Sequence, residues 1–133
     1  CGILDLRTGR LKYSNAGHEP PILVRQDSQP EHLPLPNGFL LGVEEESSYQ
    51  VMEVELQPGD RLIVYTDGVT EAINSEGKMY SHENLMATIG YCSTLSAEEI
   101  GREVLRSVEQ FSIGIPQADD ITVLALSFTG AKN

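Results

Sequence analysis

The sequence predicts an α+β domain, with a β-rich first half and a helical second part closed by one more strand. Three observations carry this reading. Short apolar runs in the first half alternate with polar residues or stop at Gly and Pro turns. Two helix-start signals, at Ser81 and Ser96, stand ahead of apolar residues spaced three and four apart. An apolar run over 121–128 then returns to strand character.

Residues 2–6 and 11–15 flank Arg7-Thr8-Gly9-Arg10, a hairpin turn in which Gly9 supplies a positive φ. A short apolar strand, 22–24, follows Pro20-Pro21, and a loop rich in Pro, Gln, Ser and Asp runs from Gln26 to about Gly38. In 49–56, Met52, Val54 and Leu56 alternate with Val51, Glu53 and Glu55, so one face is buried and the other mostly wet. Pro58-Gly59-Asp60 turns the chain into Leu62-Ile63-Val64-Tyr65, which is apolar on both faces and therefore central. That strand stops on Thr66-Asp67-Gly68, and a short polar helix follows. Ser81 caps a helix running to about Gly90, with Tyr80 placed to pack on Leu85. Ser96-Ala97-Glu98-Glu99 is a capping box, with Leu95 and Ile100 as its apolar staple. The next helix carries Ile100, Val104, Val108 and Phe111 on one stripe. Gly101 costs that helix about 1 kcal/mol relative to alanine. Gln117-Ala118-Asp119-Asp120 leads into the last strand, 121–128, apolar on both faces.

The bulk properties exclude several function classes. A chain of 133 residues suits one domain with one core. Nine Lys and Arg against twenty Asp and Glu give a net charge of −11. That balance argues against nucleic acid and anionic membrane surfaces, both of which need a basic face. It suits a divalent cation. Cys1 and Cys92 make no disulfide framework, so a reducing cytoplasm is the expected location. No run approaches the length of a membrane span, and no signal peptide or internal repeat is visible. The chain opens Cys-Gly-Ile-Leu-Asp-Leu, which reads as the middle of a strand, and we expect a fragment of a longer protein.

Asp67 ends one central strand and Asp119-Asp120 begins another. If the two run antiparallel side by side, their carboxylates converge at one sheet edge. Hard cations such as Mg²⁺ take oxygen ligands, Mg²⁺ commonly one or two carboxylates plus waters. Gly68, without a Cβ, lets backbone oxygen closely approach an ion or its water. Each signal has a plainer reading. Asp-Gly is a common turn, Asp119-Asp120 can be a solvated turn, and Asn15-Ala16-Gly17-His18 can be a hairpin exit with His18 merely polar.

Order and wording together are more specific. "YSNAGHEPPILV", "LLGV", "LQPGDRLIVYTDGVTEAINSEG" and "DDITVLAL" occur in that order. Across nearly the whole chain, 1–133, the sequence resembles the C-terminal part of the bacterial SpoIIE-like serine phosphatases. These are the branch of metal-dependent (type 2C) protein phosphatases that acts on sigma-factor regulators. The resemblance implies a four-layer α-β-β-α sandwich whose N-terminal strands are missing here. It implies two Mn²⁺ or Mg²⁺ ions in the complete domain, one or none in this piece, and hydrolysis of phosphoserine or phosphothreonine by metal-activated water. By motif match Asp67 and Asp119 are metal ligands, with no catalytic residue beyond them. Gly68, Asp120, Asn15 and His18, with Gly17, line or brace the same end. The family commonly has Phe-Gly after the Glu-Gly turn, where this chain has Lys78-Met79-Tyr80 after Glu76-Gly77. The family's first strands carry further ligands, so these residues hold about half of a two-metal site, and the piece alone is expected to be inactive.

The implied partners are a phosphoprotein substrate, such as an anti-sigma-factor antagonist, and an N-terminal sensor or receiver domain. An unpaired sheet edge also predicts that the isolated chain self-associates. Two other readings stand beside the enzyme: a non-catalytic phosphatase-like module that docks a regulatory protein, and a plain acidic α/β domain with ordinary turns.

Overall fold

The computed structural model describes residues 1–26, 28–36, 38, 40–43 and 47–131. Strands β1 (Gly2–Leu4) and β2 (Arg10–Tyr13) form the expected hairpin. Both are shorter than the sequence suggests, because the turn starts at Asp5, whose carbonyl accepts from Gly9 N–H at 2.8 Å. Gly9 has φ 75°, and a Cβ there would lie 2.2 Å from the Leu56 carbonyl oxygen, so turn and packing both require glycine. Strand β5 (Met52–Glu55) pairs antiparallel with β2 and completes a three-stranded sheet, β1-β2-β5.

The second sheet has the order β4-β3-β6-β7, with β3 Ile22–Val24, β4 Glu31–His32, β6 Arg61–Tyr65 and β7 Val123–Ser127. Strand β4 lies inside the segment read as loop. It is two residues long and pairs through Ile22↔His32 and Leu23↔Glu31 at the sheet margin, too short to show a period. Strand β6 is central as expected, paired with β3 on one side and β7 on the other. The last strand is apolar on both faces but stands at the sheet margin, and Leu124 is 55% exposed.

Alternation along these strands builds two cores. Ile22, Val24, Ile63 and Tyr65 meet Leu85, Ile89, Ile100, Val104 and Val108 of the helices. On the opposite face Leu23 and Leu62 pack with Leu11, Tyr13, Leu56 and Phe128 of the other sheet. Each such side chain, fully buried, contributes about 1.5–3 kcal/mol. The described residues thus form three layers of the four-layer sandwich: helices, the four-stranded sheet and the three-stranded sheet.

Helix α1 (Asp67–Thr70) is a single turn. Between it and α2 (Ser81–Tyr91), Asn74 Oδ1 accepts from Glu76 and Lys78 N–H, and Ile73 bridges Met79. This small loop delivers Tyr80 to the core, where it packs with Leu85. Ser81 is not the cap that the sequence suggests. It has φ 70°, and no side chain caps α2. Tyr80 anchors the helix instead, its buried hydroxyl bonded to Thr88 Oγ1 and Ser107 Oγ at 2.7 and 2.8 Å. Helix α3 (Ala97–Phe111) starts with the expected capping box, Ser96 Oγ accepting from Glu99 N–H and Ser96 N–H donating to Glu99 Oε2. Its stripe of Ile100, Val104 and Val108 is buried against the sheet.

Candidate metal centre

Strands β6 and β7 run antiparallel, with Tyr65 opposite Val123. The chain therefore leaves β6 toward Asp67 at the same end where it enters β7 from Asp119 and Asp120. Thr66 stitches the two segments. Its N–H donates to the Thr122 carbonyl at 3.1 Å, and its hydroxyl donates to the Asp120 carbonyl at 2.8 Å while accepting from Thr122 N–H at 2.9 Å. Gly68 is buried against the same turn, where an added Cβ would lie 2.5 Å from the Asp120 carbonyl oxygen and 3.4 Å from the Asp119 carbonyl carbon. Its missing side chain admits the close approach of the Asp119–Asp120 backbone.

The acidic side chains here face water. Asp67, Asp119 and Asp120 are all exposed. Asp67 Oδ1 accepts from Gly68 N–H at 3.0 Å, and Asp119 Oδ1 accepts from Asp120 N–H at 2.7 Å. Each carboxylate keeps lone pairs free, since an ionised carboxylate has about four acceptor sites. Among the described residues none of the three forms an ion pair. Asp120 contributes through its main chain, as the acceptor for Thr66. The donor set of Asp67 and Asp119 is hard, anionic and solvated, which fits Mg²⁺ or Mn²⁺ retaining waters. It is incomplete as a cage. Among the described residues no group of three or more His, Cys, Asp and Glu is close enough to hold a metal.

The 14–21 connection reaches the same end of the sheet, because β3 pairs antiparallel with β6 through Ile22↔Ile63. Asn15 braces it: Oδ1 accepts from Gly17 and His18 N–H at 2.9 and 2.8 Å, and Nδ2 donates to the His18 carbonyl at 2.8 Å. Gly17 has φ 95°, and a Cβ there would overlap Leu40. His18 is exposed, with Nδ1 3.1 Å from the Glu19 carbonyl oxygen. Asn15, Gly17 and His18 line a separate hollow with Pro20, Leu35 and Pro36, one that contains none of the three aspartates.

Three further side chains join this end without any signal in the sequence. His82 Nε2 lies 2.7 Å from Glu19 Oε2, a pair that ties α2 to the 14–21 connection across 63 residues. Tyr65 is buried beside them, its ring edge-on to His82 at 6.2 Å. Burial first, and then the charge of Glu19, pushes the Tyr65 hydroxyl well above its ordinary pKa.

Comparison with known proteins agrees with this architecture. The family model described as "Stage II sporulation protein E (SpoIIE)" matches residues 1–129. Protein IcfG of a Synechocystis species is 33% identical over 129 residues, covering 94% of this chain and 19% of that protein. The phosphoserine phosphatase RsbU of Bacillus subtilis is 26% identical over 120 residues, covering 88% of this chain and 34% of that protein. The chain thus spans only 19% and 34% of the length of these curated relatives. The phosphatase domain of the cell fate determinant SpoIIE from Bacillus subtilis, solved after presoaking with Mn, superimposes with a TM-score of 0.75 at 20% identity, covering all of this chain and 57% of that one. With the family model matching residues 1–129 and the sandwich in place, the chain belongs to the SpoIIE family.

Proposed function

We propose that this chain is part of a metal-dependent protein serine/threonine phosphatase that hydrolyses phosphoserine on a regulatory protein, such as an anti-sigma-factor antagonist. One observation carries the reading: antiparallel β6 and β7 bring Asp67 and Asp119 to one sheet end, with neither in an ion pair among the described residues. Asp67 and Asp119 hold the cation, Mn²⁺ or Mg²⁺. When bound, such an ion supplies an acidified water and screens the charge of a phosphate under attack. Thr66 and Gly68 hold the two acidic segments in register. Asp120 serves through its carbonyl, while Asn15 and His18 shape the neighbouring rim.

The protein containing this chain carries a regulatory domain N-terminal to it and works in the cytoplasm. No helix among the described residues is long and apolar enough to cross a membrane. The isolated chain self-associates through β1 and β7, which stand at sheet margins with Ile3 and Leu124 exposed. Light scattering over a dilution series tests that, and a monomer at high concentration contradicts it.

The test of the enzyme reading is Mn²⁺-dependent hydrolysis of p-nitrophenyl phosphate by the intact protein. Asp67→Asn removes most of it, whereas unchanged turnover excludes Asp67 from the site. The alternative is a non-catalytic phosphatase-like module that docks a regulatory protein, which ligands missing from the rest of the protein would favour. No Mn²⁺-dependent turnover by the intact protein, with partner binding retained, supports that reading instead.

A further inference from the structure

A groove of about 380 Å³ opens between the end of α1, the last turn of α3 and the 112–121 segment. Ile73, Val108, Ile113, Ile115 and Ile121 line it. Ile113 is 79% exposed and Ile73 37%, so part of this aliphatic lining faces water. Wet aliphatic side chains inside a concavity mark a place where another molecule can sit. Glu71, Glu109 and Asp119 are the charged residues of the lining, and no Lys or Arg joins them. Among the described residues none of the three is in an ion pair. The groove shares Gly68 and Asp119 with the candidate metal centre. A polypeptide presenting a phosphoryl group at Asp67 and Asp119 must pass its neighbouring residues close to this opening.

We propose that this groove docks a segment of the phosphoprotein substrate in which an aliphatic side chain is flanked by lysine or arginine, a proposal that rests on the phosphatase reading above. The aliphatic side chain supplies affinity by leaving water against the isoleucines. The carboxylates set the sign of what flanks it, attracting basic residues and repelling acidic ones. Specificity then resides in a surface beside the chemistry, since the phosphoryl group is common to all such substrates.

Fluorescence anisotropy with labelled synthetic peptides, unphosphorylated and in EDTA, tests docking independently of any metal. The probe carries a central leucine between lysine pairs, and its comparison peptide has glutamates in their place. The lysine peptide is expected to bind at least about tenfold more tightly than the glutamate peptide, and Ile113→Ser or Glu109→Lys to weaken it about tenfold. Ile3→Ser, on the other sheet, leaves it unchanged. Both groove residues are exposed, so neither variant threatens folding. Absent binding, equal binding of the two peptides, or binding unaffected by both groove variants overturns the proposal. In the intact protein the same variants raise KM for a lysine-flanked phosphopeptide and leave p-nitrophenyl phosphate turnover unchanged. Lost docking with Mn²⁺-dependent turnover intact sinks the groove alone. Retained docking without such turnover supports the groove and sinks the phosphatase reading.

Discussion

The Thr66 hydroxyl donates to the Asp120 carbonyl oxygen at 2.8 Å, across 54 residues of sequence. This bond and the return bond from Thr122 N–H make one side chain the clasp between the two acidic segments. Thr66→Val keeps the shape and removes both bonds. It is expected to cost about 1–2 kcal/mol in urea unfolding and to weaken Mn²⁺ binding. Unchanged stability and unchanged affinity would show that the clasp is incidental.

Gly68→Ala tests the close approach. The new Cβ would meet the Asp120 carbonyl oxygen at 2.5 Å, nearer than real Cβ contacts come. Because the obstacle is backbone, the turn must move, and the expected loss is about 1–3 kcal/mol. A neutral result in thermal unfolding would mean that the 119–122 turn shifts freely.

Asp119 and Asp120 are adjacent, exposed and chemically alike, yet they are assigned different work. Asp119 offers its carboxylate, whereas Asp120 offers its carbonyl to Thr66. Calorimetric titration with Mn²⁺ is expected to show a larger loss of affinity for Asp119→Asn than for Asp120→Asn. The reverse order exchanges the two roles.

Gly101 lies in the interior of α3, where glycine is an expensive choice. An alanine Cβ there would touch only the Ala125 Cβ, at an ordinary 3.9 Å. Gly101→Ala is therefore expected to stabilise the chain by about 0.5–1 kcal/mol, read as a higher urea midpoint at unchanged slope. A loss of stability would indicate that α3 and β7 are packed more tightly than this spacing implies.

What could be read from the sequence was what local chemistry writes there. The capping box at Ser96, the buried stripe of α3 and the doubly apolar β6 each depend on residues a few positions apart, and each appears where the pattern puts it. The short β4 escaped because two residues show no period. Ser81 misled because a serine ahead of a helical run has the chemistry of a cap, while the tertiary anchoring of Tyr80 decides the entry of α2. At the site, the convergence of the Asp67 and Asp119 segments was legible from strand polarity alone. The Thr66 clasp, the Glu19–His82 pair and the groove beside Ile113 were not, since each joins residues that meet only after the sheet and helices pack.

The central claim is that Asp67 and Asp119 share one cation. Its most direct test is titration of the isotopically labelled chain with substoichiometric Mn²⁺, following paramagnetic broadening of backbone amide signals. The account predicts that signals of 67–69 and 119–122 broaden first, and that Asp67→Asn abolishes this selectivity. Broadening centred elsewhere, or spread evenly over a surface of net charge −11, would contradict it.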